Sequence, residues 1–424
     1  MLFVVAVGVT GARIVYKYQA PGKFVVENQG YCDFHNGVYY PAVGFVQGNS
    51  PYAPGFEELY PVHRPLPFLS PVILILHSPL AILDLRTAEV VYFFLSVSLV
   101  LLFSGFIAYQ ILVANSDATG YRFGAPGAFL TLTLILATFI TISRGGQQTL
   151  FTGYFTFEIL LATLVAVHFG NSRWALTAIA LLVVSSKPNY VLPLGMLMLA
   201  QANWKSVIMG GLLSVVGAVS AVYWLEPVKG LQGFWNDVQL SQQIHLAEVW
   251  EMPVNNWVRV DATALVAKWA NWNPGEETQL LIMFAFVLPV SILIGCRNSR
   301  YDTSSGVMSV NGALLLLVPI VAVYHQAYDA ILALPVAVSA WFSRDPEWAA
   351  ISSVKRSLIG ACCLVPAVNY LSSQMLISRL GLEGLVFQIV TSINAVALLL
   401  AVSLLIMHIA RMLVQLPANT PAPR

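Results

Sequence analysis

The sequence predicts an all-α polytopic membrane protein, and two observations support that fold class. Of the 424 residues, 58% are hydrophobic and only 10% are charged, whereas soluble domains carry about 25% charged residues. The apolar residues also form runs long enough for transmembrane helices, which need about 20 residues to cross the hydrocarbon core. The net charge of +1 gives no general attraction for nucleic acid, so we expect no nucleic-acid partner.

The apolar segments predict about 10 to 13 transmembrane helices, because several of them are short for a straight span. The segments lie at 2–16, 89–113, 126–143, 149–169, 174–186, 188–203, 206–225, 279–295, 310–324, 329–342, 357–371 and 385–411. The two around Lys187-Pro188 are either two short helices that meet at one face or one kinked helix.

Two long polar stretches separate these segments. Residues 17–87 are predicted to form a first outer loop, in which the apolar but proline-rich segment 65–84 either spans or, as we favour, lies as a helix at the membrane interface. Residues 226–278 form a second outer loop that is rich in tryptophan. We interpret this loop as an aromatic belt with amphipathic surface helices, and the alternative is a lid that binds an acceptor.

Positive charge sets the predicted orientation, since short cytoplasmic loops carry an excess of lysine and arginine. Nearly every short loop on the face opposite to 17–87 contains such a residue. These cations are Arg122, Arg173, Lys205, Arg297, Arg300, Arg344, Lys355, Arg356 and Arg411. We therefore expect both termini in the cytoplasm, both long loops on the non-cytoplasmic face, and a multi-pass protein of the plasma (inner) membrane.

Four polar clusters border apolar segments, where ionisable groups are costly and are therefore functional candidates. The predicted topology puts all four on the outer face. They contain Asp33, Arg144 with Gln147, Lys187, and the run Tyr324–Asp329 with His325 and Tyr328. A carboxylate that converges with cations and phenols could bind an anionic headgroup and deprotonate a hydroxyl.

Each cluster also admits a purely structural role. Asp33 could cap a helix N-terminus, and Arg144 could extend to the interface as a snorkelling residue. Lys187 could neutralise a helix C-terminus, while His325 and Asp329 could simply bond to each other. The sequence contains no DxD, HExxH or Cys/His pattern with metal-ligand spacing, so we expect no metal site.

Several blocks resemble a known family. Asp33 after the first span, Tyr39-Tyr40 and Gly48–Tyr52 resemble the first outer loop of GT-C-fold membrane glycosyltransferases. Tyr60–Pro67 and Ser78–Ala81 resemble blocks of glycosyltransferase family 87. Further blocks follow in the same order, namely Gly146-Gln147, Lys187-Pro188, His325–Asp329 and Leu332–Pro335. The resemblance covers about residues 1–345 and leaves 346–424 as C-terminal transmembrane helices with a short tail.

The resemblance implies a GT-C-like catalytic region that transfers mannose or a similar sugar, with inversion and without a metal. The donor would be a polyprenyl-phosphate-linked sugar, which takes the place of any cofactor, and the acceptor a hydroxyl of a glycan or glycolipid at the outer face. Asp33 would be the catalytic base. The candidates for binding the donor phosphate or the substrate are Arg64, Arg144, Gln147, Lys187, His325, Tyr328 and Asp329.

This sequence departs from the family pattern at two blocks. Pro65-Leu66-Pro67 stands in place of adjacent prolines, and only one glutamine of Gln147-Gln148 can match the family's Gly-Gln. The donor sugar and the role of Arg64 therefore stay open. The main alternative is a transporter or a flippase for lipid-linked sugars, which would also place ions along a substrate path. The absence of two matching halves and the position of the polar clusters at one face favour the transferase. A non-catalytic subunit of an envelope complex is a third possibility.

Overall fold

A computed structural model describes residues 1–22, 25, 27–63, 69–116, 126–246, 248–300 and 306–415. Across these residues the secondary structure is helical, with isolated β-bridges but no strand. The bounds of the elements follow in chain order.

Short helices dominate the first 84 residues after an apolar helix at the N-terminus. They are α1 (Leu2–Tyr16), α2 (Cys32–Phe34), a π-helical turn (His35–Tyr39), α3 (Tyr40–Val46), α4 (Phe56–Leu59), α5 (Val72–His77) and a 3₁₀ turn (Ser78–Ile82). The run Val72–Ile82 has about 16 Å of helical rise, which is short of the roughly 30 Å hydrocarbon core. Its length therefore suits a helix at the interface better than a span.

The elements in the middle of the chain include the first long apolar helices. They are α6 (Leu85–Ser116), α7 (Pro126–Ile142), α8 (Arg144–Thr152), α9 (Thr156–Phe169), a 3₁₀ turn (Gly170–Arg173), α10 (Trp174–Val184), α11 (Pro188–Ala200) and α12 (Trp204–Leu225). The axis bends by 74° between α7 and α8. Lys187 lies in the break between α10 and α11, so two separate helices meet there.

The last part begins with the second long loop. Its elements are α13 (Gly230–Leu246), a 3₁₀ turn (Val249–Glu251), α14 (Ala262–Ala270), α15 (Glu276–Asn298), α16 (Val310–Ala322), a 3₁₀ turn (Asp329–Leu332), α17 (Ala333–Phe342), α18 (Pro346–Ala349), α19 (Ser353–Val368), a 3₁₀ turn (Tyr370–Ser372), α20 (Gln374–Leu380) and α21 (Gly384–Gln415).

The chain is a multi-pass membrane protein by the length and composition of its helices. Among the described residues, five helical stretches are long and apolar enough to cross a bilayer, and seven are if each of two bent pairs counts as one span. Five shorter apolar helices accompany them. The expected total of about 10 to 13 spans is reached only if most of these shorter helices also cross.

The centre of the bundle is α16, in which every residue from Val310 to Ala322 is buried. A helix that is apolar on all sides is stable only when neighbouring helices cover it completely. The long helices differ, since α12 exposes Leu212, Val215 and Val216 on one side. The bundle thus has a central helix surrounded by protein and an outer ring with apolar, lipid-facing surface. The turns at one end of α16 and α17 lead directly to the candidate site.

Candidate functional site

A cavity of about 960 Å³ lies where the two long loops meet the turns between the helices. Its described lining includes Asp33 from the first loop, Lys187 from the α10–α11 break and Arg259 from the second loop. Tyr154 from the α8–α9 turn and Tyr328 from the α16–α17 connection complete the inner part. Residues far apart in the sequence therefore face one common space.

The side chains on both sides of Asp33 are held by one residue of α6. The Tyr31 hydroxyl donates to the backbone oxygen of Glu89 at 2.8 Å. His35 Nε2 lies 2.7 Å from Glu89 Oε1. Because Tyr31 and His35 are the residues two before and two after Asp33, these bonds fix the short segment that carries the carboxylate.

Glu89 itself is the centre of a buried polar network. The Tyr18 hydroxyl donates to Glu89 Oε1 at 2.5 Å, and Arg86 Nη1 donates to Oε2 at 3.1 Å. The carboxylate therefore has partners on both oxygens, as a buried charge requires. Sequence reasoning did not single out Glu89, because a glutamate in the first turns of a long apolar helix is also what a helix N-terminus favours.

Asp33 does not have the capping role that the sequence allowed. The N-cap of α2 is Tyr31, in the left-handed region with φ +64°, and Asp33 lies inside the first turn. Gly153 packs against this segment with φ +72°, and a Cβ there would lie 2.7 Å from Phe34 Cβ. A residue other than glycine would push the α8–α9 turn away from the segment that carries Asp33.

Lys187 and Asp329 form a buried ion pair at the cavity wall. Lys187 Nζ donates to Asp329 Oδ1 at 2.9 Å and to Oδ2 at 2.8 Å. The backbone N–H of Gln326 also donates to Asp329 Oδ2, at 3.0 Å. The ammonium group has three N–H donors, so two are used by Asp329 and a third can serve a ligand.

Three tyrosine rings surround the ammonium group, since Nζ lies 5.1 to 5.8 Å from the ring centres of Tyr328, Tyr190 and Tyr154. Burial and the charges of Asp329 and Asp33 raise the pKa of Tyr154 well above its ordinary value. Burial, the Tyr154 hydroxyl and the charges of Asp329 and Asp33 do the same to the pKa of Tyr328. Both phenols therefore stay protonated, and since their hydroxyls hydrogen-bond to each other, one O–H of the pair is left to donate into the cavity.

Arg259 and Asp261 form a second buried pair that the sequence pattern does not indicate. Arg259 Nε and Nη2 each donate to the Asp261 carboxylate at 2.8 Å. Asp261 also caps α14 by accepting from the Ala264 N–H at 3.0 Å. Burial raises the pKa of Asp261, but Arg259 outweighs burial and the pKa lies below its ordinary value. An Arg-x-Asp sequence before a helix is typical of an ordinary N-cap, so the sequence does not indicate this ion pair.

The second long loop is joined to the 325–327 segment by backbone bonds. The Val260 N–H donates to the His325 oxygen at 2.9 Å, and the Ala327 N–H donates to the Val258 oxygen at 2.9 Å. The ring of Tyr324 lies 4.7 Å from the Arg259 guanidinium carbon. These bonds put Arg259 beside the segment that contains Tyr328 and Asp329.

The remaining candidates occupy different positions. Arg144 is buried outside the described cavity lining, where its Nη2 donates to the Ser372 oxygen at 2.7 Å, so it does not reach solvent as a snorkelling side chain would. Gln147 accepts from Arg13 at 3.5 Å on the side of α1, and its neighbour Gln148 lines the cavity instead. Arg64 lies outside the described residues.

His325 is fully buried and, within the described lining, does not face the cavity. Its Nδ1 lies 3.1 Å from the Val323 oxygen, and its ring packs edge-on against Tyr190 at 4.2 Å. Burial lowers the pKa of His325 to about 4, so the ring is neutral at pH 7. It cannot supply a positive charge to a phosphate, and its structural partner is Val323, not Asp329.

Within the described ranges no cluster of three or more His, Cys, Asp or Glu side chains has the geometry of a metal site. In comparisons with known proteins, the chain matches no family model, no curated sequence and no solved structure. The geometry of the cavity is therefore the basis for a functional proposal.

Proposed function

We propose that this chain is an integral membrane glycosyltransferase that moves a sugar from a polyprenyl-phosphate-linked donor to an acceptor hydroxyl. The observation that carries the proposal is that Asp33 and Lys187 line the same cavity, together with Tyr154 and Tyr328. A carboxylate and a held cation beside neutral phenols provide a base and a set of donors for an anionic leaving group.

In the proposed reaction, Asp33 accepts the proton of the acceptor hydroxyl as its oxygen attacks the anomeric carbon. The bond between that carbon and the phosphate oxygen breaks on the opposite side, so the configuration inverts. The bonding electrons leave with the phosphate oxygen, and negative charge grows there. Directed N–H and O–H donors stabilise this charge more in the transition state than in the ground state.

Lys187 and Arg259 are suited to this stabilisation because carboxylates already fix their positions. Lys187 keeps one N–H donor beyond Asp329, and Arg259 keeps Nη1 beyond its two bonds to Asp261. Pre-oriented donors of this kind need no rearrangement during the reaction. The hydrogen-bonded pair of Tyr154 and Tyr328 adds a neutral donor, and Asp329 acts by holding Lys187. We propose that the protein uses these groups in place of a metal.

The cavity end carries both long loops, and the positive-inside pattern of the sequence puts these loops on the non-cytoplasmic side. We propose that the reaction occurs at the outer face of the plasma membrane, where a lipid-linked donor and a glycan or glycolipid acceptor can meet. The apolar ring of long helices would keep the polyprenyl chain of the donor in the bilayer.

The test is a transfer assay in nanodiscs with purified wild type, Asp33→Asn and Asp345→Asn. Asp345→Asn is the matched control, because Asp345 caps α18, lies outside the described cavity lining, and asparagine caps equally well. Labelled polyprenyl-phosphate-mannose and a lipid extract are supplied, with a parallel EDTA arm. We expect product from wild type and the control, none from Asp33→Asn, and no effect of EDTA.

Equal activity of Asp33→Asn and wild type would remove Asp33 as the base and refute the mechanism. If wild type is inactive with mannose, the donor sugar is changed next. Donor binding without turnover for every sugar tried would favour the flippase. Flippase activity would then be measured as the movement of a fluorescent polyprenyl-phosphate-sugar across the membrane of liposomes that contain the protein.

A further inference from the structure

Primary amides are the most numerous polar groups in the described part of the cavity wall. Nine of the described lining residues are asparagine or glutamine, compared with three carboxylates and two permanent cations. Both cations are already paired, Lys187 with Asp329 and Arg259 with Asp261. An amide offers donors and an acceptor side by side without charge. The wall therefore suits a neutral ligand with many hydroxyl groups better than a highly charged one.

Three of the nine amides, Gln239, Gln242 and Gln243, lie on one helix, α13. Gln239 and Gln242 of α13 line the cavity together with Trp235, and the spacing of four and three residues puts them on one helical face. Gln242 is half-buried and its Nε2 lies 3.4 Å from Glu276 Oε1, which orients the side chain. An aromatic ring followed by two amides along one face offers an apolar surface for C–H groups and donors for hydroxyls.

α13 is held in place from its other side. The Ser241 hydroxyl donates to the Tyr52 backbone oxygen at 2.6 Å, and the Tyr52 ring packs edge-on against Phe234 at 5.0 Å. These contacts join α13 to the first long loop, which also carries Asp33. The face with Trp235, Gln239 and Gln242 is thus a fixed part of the cavity wall.

The size of the cavity indicates a ligand larger than one sugar. Its volume of about 960 Å³ is near the upper end of ordinary small-molecule sites. We propose that the face formed by Trp235, Gln239 and Gln242 binds a neutral oligosaccharide of at least two or three sugars. Under the proposed function, on which this assignment of role rests, that oligosaccharide is the acceptor.

The test measures binding without turnover, by saturation-transfer difference NMR on the full-length protein in nanodiscs. The probes are three neutral trisaccharides, α-mannotriose, maltotriose and an arabinofuranose trimer, with methyl α-mannoside as the single sugar. The variant is Gln239→Leu/Gln242→Leu. The matched control is Gln232→Leu/Asn236→Leu, on the same helix but outside the described lining. Thermal unfolding checks that both variants fold.

We expect at least one trisaccharide to bind wild type more tightly than the single sugar does. We expect the variant to bind it about tenfold more weakly and the control to match wild type. Trisaccharide binding that is equal in the variant and wild type overturns the proposal, and so does the absence of any trisaccharide signal on wild type.

The two proposals fail in different ways. If trisaccharide binding depends on Gln239 and Gln242 but no sugar is ever transferred, the oligosaccharide site stands and the transferase is refuted. If transfer occurs and the acceptor KM of the Gln239→Leu/Gln242→Leu variant is unchanged, the transferase stands and this site is refuted.

Discussion

Lys187 Nζ and the carboxylate of Asp329 are joined by two hydrogen bonds of 2.9 and 2.8 Å across 142 residues of sequence. The pair connects the α10–α11 break to the turn before α17, and the Asp329 carboxylate also holds the Gln326 N–H. One ion pair thus fixes the relative position of two chain segments that both line the cavity.

Removing both partners of this pair should destabilise the protein by less than the sum of the two single removals. Lys187→Met leaves a buried carboxylate without its cation, and such losses are about 3 to 5 kcal/mol. The double variant Lys187→Met/Asp329→Asn removes both charges and should lose less than the sum of the single losses. Denaturant unfolding in detergent measures this, with Lys205→Met, an exposed lysine, as the control expected near zero. Additive losses would show that the two groups do not interact.

Glu89→Gln should reduce the proposed transfer reaction while the protein remains folded. Glutamine cannot accept from His35, Tyr18 and Arg86 as the carboxylate does, so the segment with Asp33 loses its anchor at His35. Displacement of a catalytic group by about 1 Å can cost 100-fold in rate. We expect kcat to fall about 10- to 100-fold with donor KM almost unchanged. Glu57→Gln, in the same loop but exposed, is the control. An unchanged kcat for Glu89→Gln would contradict the positioning role.

Gly145→Ala should destabilise the protein by about 1 to 3 kcal/mol. A Cβ at Gly145 would lie 2.9 Å from Tyr328 Cα and 3.1 Å from the Ala327 oxygen, both backbone atoms that cannot move alone. Gly211 in α12 has open space around its Cβ position. Gly211→Ala is therefore the control and should stabilise its helix by about 0.5 to 1 kcal/mol. Differential scanning calorimetry compares the two, and a Gly145→Ala protein as stable as wild type would refute the close approach.

Lys268 should make stability depend on pH above neutrality. The side chain is buried in α14, with Nζ 3.4 Å from the Thr391 oxygen, and burial lowers its pKa to about 7. The unfolded chain binds this proton up to about pH 10.4, so between these values the unfolded state holds more protons. Stability should therefore rise with pH from about 7, by about 1.4 kcal/mol per unit. Lys268→Met should lack that slope; a slope identical to wild type would assign it to other groups.

Much of the architecture can be predicted from the sequence because apolar length decides it. The helices around α6, α12, α15 and α21 follow from apolar runs alone. Whether a short run such as Val310–Ala322 faces lipid or protein cannot be predicted from its composition, because both environments favour the same residues.

The candidate site was predictable where topology alone brings residues together. Asp33, Lys187, Tyr328 and Asp329 all follow or precede apolar helices, and the structure puts them at one cavity or bonded to its wall. Gln147 and Gln148 are separated by a rotation of about 100° around the helix axis. The sequence alone does not show which of two adjacent glutamines faces the cavity, and the structure shows that Gln148 does. Arg144 donates to the Ser372 oxygen, and because that partner is distant in the sequence, only the structure identifies it.

Because α16 is completely buried, one part of the cavity wall is isolated from changes in bilayer thickness. Hydrophobic mismatch acts on helices that touch lipid, which respond by tilting. α16 and the buried residues Ala333–Ala340 of α17 touch protein alone, so the connection between them that carries Tyr328 and Asp329 has no direct contact through which lipid length could act. In thicker or thinner membranes the lipid-facing helices α6 and α12 would adjust first, and this side of the cavity would keep its geometry.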